Sequence, residues 1–301
     1  MDALSFVDVS KKFGNKYALK NVTFSIPRGA TAGLLGPNGA GKTTSIKIAV
    51  GILKRTSGEV KILNLDPWAN EEEARQKIGV LHEKPIYPLG VRVLDLLNHL
   101  ARLKGVNRRD VKMVLDLTGL KEYANARIRM LSRGFVQRLG LAQALLGDPE
   151  ILLLDEPTAN LDPLARIEIL NLINNLRKEL SLTIIISSHI IPELQKVCNY
   201  AVFIGNGKIL DYGPMGELAS RYQVGTIFKV YALQPRRVAA SIIEEEYVES
   251  IEIHESFLKV RIKAGYSKNL ENKVIESGAE KIELLTANLE EIYKKAVAYA
   301  S

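Results

Sequence analysis

The stretch Gly36-Pro37-Asn38-Gly39-Ala40-Gly41-Lys42-Thr43-Thr44 constrains this chain more than any other. An apolar run, Ala32 to Leu35, precedes it, and a helical pattern through Ile46, Ile48 and Ala49 follows. This is the pattern G-x-x-x-x-G-K-[ST] in the context it requires, strand then loop then helix. Glycines let the backbone curl so that successive N–H groups face one anion. A helix starting near Gly41 adds about half a positive charge at its N-terminus, aimed at the same place. Lys42 supplies a point charge for the outer phosphates of a nucleotide, and the Thr43 hydroxyl can hold Mg2+. The bland alternative is an ordinary Gly-rich strand-to-helix turn.

With 301 residues the chain can hold one large or two modest domains. Its 47% hydrophobic and 25% charged content suits a globular chain with an ample core. The longest apolar runs, Ile151 to Leu154 and Thr183 to Ile186, fall far short of the ~20 residues of a membrane span. The N-terminus has no basic start followed by an apolar core, so no signal peptide is expected. One cysteine, Cys198, excludes an internal disulfide framework and fits a reducing compartment. The net charge of +7 is uneven: residues 222–301 carry −1 and the first 221 residues +8. That excess suits a polyanionic nucleotide, an anionic membrane or nucleic acid, and equally a solvated surface.

Along the chain, residues 4–9 alternate as a strand, Lys11-Lys12-Phe13-Gly14 reads as a turn, and Val22 to Ile26 as a second strand. Phe13, shortly before the phosphate loop, is an aromatic ring at a distance from which it can stack on a base; Tyr17 competes with it. Short strands follow at Gly58–Leu63 and Ile78–Leu81. The connector His82-Glu83-Lys84-Pro85-Ile86-Tyr87-Pro88 cannot be a helix interior because of its two prolines. From Val91 to Leu146 the apolar spacing turns helical, an insert in an otherwise alternating α/β chain. Within it, Leu131-Ser132-Arg133-Gly134-Phe135 places Ser132 where a helix N-cap stands.

Ile151 to Leu154 followed by Asp155-Glu156-Pro157 reads as a buried parallel strand ending in two carboxylates at the ligand edge of an open α/β sheet. Asp155 is placed to hold Mg2+ through water, and Glu156 to polarise an attacking water as general base. Asp162 caps a helix from Pro163. Thr183 to Ile186 is a further buried strand, delivering His189 to the same edge.

This ordered set resembles the ATP-binding cassette of ABC transporters: phosphate loop, signature L-S-R-G-F-V-Q-R, D-E-P-T, A-N-L-D and a switch histidine, over about residues 4–215. The resemblance implies an α/β P-loop NTPase with a RecA-like core and a helical subdomain at about 90–148. It implies that Phe13 stacks on adenine, that Gly36 to Thr44 wrap the phosphates, and that Thr43 and Asp155 hold Mg2+. It makes Glu156 the base and sets His189 on the γ-phosphate. Leu131, Ser132, Arg133, Gly134 and Phe135 would close over the ATP of a second cassette, with Asp162 in the D-loop. Arg133 and Phe135 stand where the common signature has Gly and Gln. Glu83 occupies the position where many cassettes carry a Gln that touches Mg2+ and the permease; similarity to the L-P-E of ABC-2 exporters marks the subgroup.

After residue 221 the pattern strand, helix, hairpin, helix, strand and closing helix is ferredoxin-like, so the expected domains are 1–221 and 222–301. Lys259, Arg261 and Lys263 line the outer face of the hairpin. The resemblance implies an ATPase that uses ATP and Mg2+, dimerises as homo- or heterodimer, and drives a separate integral-membrane permease, more in the manner of an exporter. It would be cytoplasmic, held to the inner face of the membrane, with no nucleic-acid partner. The rival is a soluble cassette protein acting on nucleic acid or ribosomes; those carry two cassettes or a long coiled-coil insertion, and this chain shows neither.

Overall fold

The computed structural model describes residues 2–285 and 288–300. Two long strands, β1 (Asp2–Phe13) and β2 (Lys16–Pro27), form an antiparallel hairpin around Gly14-Asn15. β1 thus runs through Lys11-Lys12-Phe13, where the residue pattern suggests a turn. Its ladder shifts register between Phe6 and Val9, where Asp8 has φ 50, and this bulge breaks the alternation that would have announced the longer strand. β3 (Thr31–Leu35) leads into the phosphate loop and α1 (Lys42–Ala49); β4 (Ser57–Ile62) returns to pair with β1. α2 (Glu71–Gln76) and β5 (Ile78–Leu81) precede the connector.

The helical insert holds α3 (Val93–Leu103), α4 (Arg108–Leu117) and α5 (Arg133–Leu145). In α3, Val93, Leu96, Leu97 and Ala101 are buried at the spacing of one helical face. Asn107 and Asp110 form a reciprocal capping box at the start of α4, an arrangement worth about 1 kcal/mol per cap. Ser132 caps α5 by accepting from Phe135 N. The chain then returns to the sheet as β6 (Ile151–Asp155), α6 (Pro163–Leu180), β7 (Thr183–Ser188), the single turn α7 (Ile191–Leu194), β8 (Tyr200–Gly205) and β9 (Lys208–Pro214).

The six-stranded sheet has the order β5-β6-β7-β3-β8-β9, and β5 through β8 are mutually parallel. β6 and β7 are buried at every position, as helix cover on both faces demands. This order puts β3 beside β7, and β7 beside β6. The loops leaving those three strands therefore meet at one edge. The second sheet, β2-β1-β4, is antiparallel, and Phe6 stacks on Phe24 at 4.8 Å in the core beneath it. The one cysteine, Cys198, is buried, and burial pushes its thiol well above the ordinary range. Among the described residues no helix is long and apolar enough to cross a membrane.

The chain divides into two compact units, Met1–Tyr212 and Gly213–Ser301. The helix α8 (Met215–Arg221) therefore falls in the second unit, whereas the expected boundary follows residue 221. The second unit continues with β10 (Thr226–Ala232), α9 (Pro235–Ile242), β11 (Val248–Ile253), β12 (Phe257–Ile262), α10 (Ser267–Glu276), β13 (Ala279–Leu285) and α11 (Leu289–Ala300). Its sheet has the order β11-β12-β10-β13, antiparallel throughout. Alternate residues Phe228, Val230, Leu258, Val260 and Ile262 form its core with Val238 and Ile242 of α9 and Leu270 and Val274 of α10. Of the hairpin cations, Lys259 pairs with Glu252 across β11 at 3.2 Å.

Candidate functional site

Between β3 and α1 the backbone makes its turn through glycines, two of which leave no room for a Cβ. A Cβ at Gly36 would lie 2.1 Å from the Ile204 carbonyl oxygen. Gly41 has φ 114, and a Cβ there would lie 2.6 Å from Leu19. The loop therefore closes against the strands behind it, and α1 starts with the buried Lys42. The Lys42 ammonium donates to the carbonyls of Gly36 at 2.8 Å and Pro37 at 3.2 Å. It also pairs with Glu156 Oε1 at 3.3 Å, with the two side chains only 6% and 10% exposed.

The carboxylates at the end of β6 arrive from the adjoining part of the sheet. Asp155 Oδ1 accepts from the Thr43 hydroxyl at 3.1 Å and from the Ser187 hydroxyl at 2.7 Å. Ser187 in turn accepts from Glu156 N at 2.9 Å, so β7 braces both acids. Glu156 has φ 47, a left-handed conformation costing a non-glycine residue of the order of 1–3 kcal/mol. That bend turns its carboxylate back over the phosphate loop. Its Oε2 meets His189 Nδ1 at 2.9 Å. Lys42, Glu156 and His189 thus form one contiguous chain of polar contacts.

These groups line a cavity of about 550 Å3 together with Ala18, Asn38, Gly39, Gly41, Thr43, Thr44, Glu83, Ala159, Asn160, Arg166 and Ile190. Its wall is polar, which suits a phosphorylated ligand. Among the described residues no cluster of three or more His, Cys, Asp or Glu side chains forms a metal cage. Thr43 and Asp155 nevertheless offer two hard oxygen donors side by side, the donor chemistry Mg2+ takes when phosphate oxygens complete its shell.

Several expected residues stand apart from this centre. Phe13 is 52% exposed at the tip of the β1–β2 hairpin, with the Lys11 ammonium 4.9 Å above its ring. Tyr17 is exposed on the same hairpin under Lys12 and Lys20, so both rings stay in competition. Glu83 lines the cavity, and its carboxylate lies 3.7 Å from the Lys84 ammonium. Leu131 and Arg133 line a neighbouring hollow of about 370 Å3 with Glu83, Gln137 and Asn160. Arg133 donates to the Asn160 carbonyl at 3.4 Å, and Phe135 packs on Tyr123 with ring centroids 4.1 Å apart. Neither Ser132 nor Gly134 lines the cavity of its own chain. Asp162 caps α6 through Leu164 N and Ala165 N.

Sequence reading missed three groups that the geometry brings in: Ser187, Arg166 and Glu193. Ser187, two residues before His189 at the end of an apolar strand, was the one with a usable signal.

Comparison with known proteins bears on all of this. The ABC transporter family matches residues 19–159. The bacitracin transport ATP-binding protein BcrA of Bacillus licheniformis is 31% identical, over 96% of this chain and 95% of its own length. The linearmycin resistance ATP-binding protein LnrL of Bacillus subtilis is 30% identical, over 94% of this chain and 93% of its own. Among solved structures, the ATP-binding cassette MJ0796, in a dimeric post-hydrolysis state bound to ADP and Pi, superposes with a TM-score of 0.63 at 28% identity; the match covers 70% of this chain and 98% of that one. Full-length identity above 30% and the cassette fold converge, and the chain belongs to the ABC transporter family as an ATP-binding, ATP-hydrolysing subunit.

Proposed function

We propose that this subunit powers an ABC-2 type exporter, pairing with a second cassette over two ATP molecules and driving a separate membrane permease. The contact of Lys42 with Glu156 across the floor of the cavity carries this reading. It sets a phosphate-binding cation and a candidate base at one point. BcrA and LnrL, named for bacitracin transport and linearmycin resistance, support export of an antibiotic-like cargo.

In this mechanism the phosphate-loop amides and Lys42 bind the triphosphate of the substrate ATP. Phe13 stacks on its base. Thr43 and Asp155 would hold Mg2+, which when bound would neutralise charge developing on the phosphate oxygens. Glu156 accepts a proton from the attacking water, and His189 steadies Glu156 and reaches the γ-phosphate. Glu83 would offer a further carboxylate oxygen to the metal and would be the link to the permease. Leu131 to Phe135 and Asp162 act on the neighbouring subunit. The exposed start of α5, and the position of Ser132 and Gly134 outside the lining of the chain's own cavity, support that assignment. Catalysis is then mainly positioning and electrostatics.

The second unit is inferred to be a ferredoxin-like α+β accessory domain. Its sheet order, second-third-first-fourth strand with two helices on one face, supports this. The proposed functional division is residues 1–221 and 222–301, which would assign α8 to the cassette although the compact units divide before it, at Gly213, and the subunit would sit at the inner face of the membrane through its permease. Co-expression with a neighbouring reading frame, where that frame encodes a hydrophobic protein of several spans, tests the whole reading. Co-purification and Mg-ATP hydrolysis are expected. A chain that hydrolyses ATP but isolates with RNA in place of a membrane protein overturns the exporter.

A further inference from the structure

At the cavity wall, through Arg166, begins a hydrogen-bond junction to which the proposed chemistry gives no role. Glu193 sits in α7, just beyond His189, with its side chain 15% exposed. Its Oε2 accepts from the Thr158 hydroxyl at 2.7 Å, and its Oε1 pairs with Arg166 at 3.2 Å. Arg166 Nε in turn donates to the Leu161 carbonyl at 2.9 Å. Thr158 is buried in the turn after Glu156, and Leu161 directly precedes Asp162. One carboxylate therefore ties together the turn after the base, the Ala159–Asp162 loop and the segment that carries His189.

The tied turn needs holding. Glu156 and Asn160 both have left-handed backbones, with φ 47 and 60; asparagine adopts this conformation readily, so the strain that must be held lies at Glu156. Arg166, moreover, lines the nucleotide cavity. An ordinary stabilising ion pair would not need to join the very segments whose relative placement sets the 2.9 Å contact of His189 with Glu156.

We propose that Glu193 is a positioning residue for hydrolysis: through Thr158 and Arg166 it keeps the Ala159–Asp162 loop in register with His189, so that displacement of that loop is passed to the His189–Glu156 contact. This rests on the ATPase reading. The chemistry needs two oxygens or their equivalent at position 193. A glutamine there still accepts from Arg166 and can donate to the Thr158 hydroxyl, which turns to accept. An alanine leaves the buried hydroxyl unpaired and the guanidinium with one partner fewer.

The test measures kcat and KM for Mg-ATP by release of radiolabelled phosphate from the full chain. Glu193→Ala, Thr158→Val and Glu193→Gln are each made alone and together with His189→Ala. Glu193→Ala is expected to lower kcat about tenfold or more, with KM changed by less than about threefold, and Glu193→Gln to keep most of the turnover. In the His189→Ala background Glu193→Ala should add less than about twofold, because the residue acts through the ring. If Glu193→Ala does not fold, Thr158→Val carries the same expectation. Turnover within about twofold of wild type, or losses that multiply in the double variant, overturns the proposal. A wild-type chain that binds Mg-ATP and releases no phosphate overturns it together with the ATPase reading. An active wild type with indifferent variants overturns the positioning role alone.

Discussion

Glu156→Gln separates two roles that the structure superimposes on one carboxylate. In the wild type that group pairs with Lys42 at 3.3 Å, both side chains nearly buried. At an effective dielectric of about 20 the gross attraction over 3.3 Å is about 5 kcal/mol. Desolvation of the two charges offsets most of this, leaving about 1–2 kcal/mol that an incoming triphosphate must overcome to recruit Lys42. The amide keeps the size and a hydrogen-bonding oxygen but not the charge. Mg-ATP is therefore expected to bind about 5–30-fold more tightly, at about 1.4 kcal/mol per factor of ten. Loss of the base should lower turnover about 10²–10⁴-fold. Isothermal titration with Mg-ATP and phosphate release on the same preparation read both numbers. Binding equal to or weaker than wild type refutes the competition between the pair and the phosphates. Wild-type turnover refutes Glu156 as base.

Further expectations follow from single residues. Gly79→Ala in β5 would put a Cβ 2.2 Å from the Ala144 carbonyl oxygen. Overpacking against backbone should cost about 3 kcal/mol, and thermal unfolding should show a midpoint lower by about 6–12 °C. Asp66 is held below its usual carboxylate value first by the hydrogen bond from Arg55, with Trp68 N and Ala69 N assisting. Its folded-state pKa lies below the unfolded one, so its stabilisation is fully present above the unfolded value and is lost as pH falls through the folded one. Asp66→Asn should flatten the acid limb of stability below about pH 4, read by urea unfolding across pH. Phe13→Ala should weaken ATP but leave inorganic triphosphate binding unchanged; if Tyr17→Ala does this instead, the stacking ring is Tyr17.

How far the residues alone reveal the molecule depends on how local each signal is. The phosphate loop, Asp155, Glu156, Ser132 and Asp162 are legible because each is a short pattern tied to one strand end or one helix cap, and the structure has those ends and caps where the patterns predict. The β8–β9 hairpin was also legible and went unread. Asn206-Gly207, with φ 49 and 73, is the two-residue turn that joins two apolar runs. Lys11 to Phe13 were not legible as strand, because their partners Leu19, Tyr17 and Lys16 impose a register that a bulge had already displaced. Arg166 and Glu193 were hidden for another reason. Arg166 in α6 and Glu193 in α7 lie 27 positions apart in sequence, and only the order of β6 and β7 in the sheet brings the starts of those helices together.

The sealed thiol of Cys198 has a practical side. A side chain withheld from solvent, in a site where burial disfavours the thiolate, is expected to react slowly with maleimides at neutral pH. The native sequence is thus a quiet background for site-directed labelling. A thiol introduced at exposed Met130, beside the signature, and another at exposed Ile86, in the connector, would be the main attachment points for a pair of probes. Distances between such probes could follow the subunit through its nucleotide cycle without any prior removal of a natural cysteine.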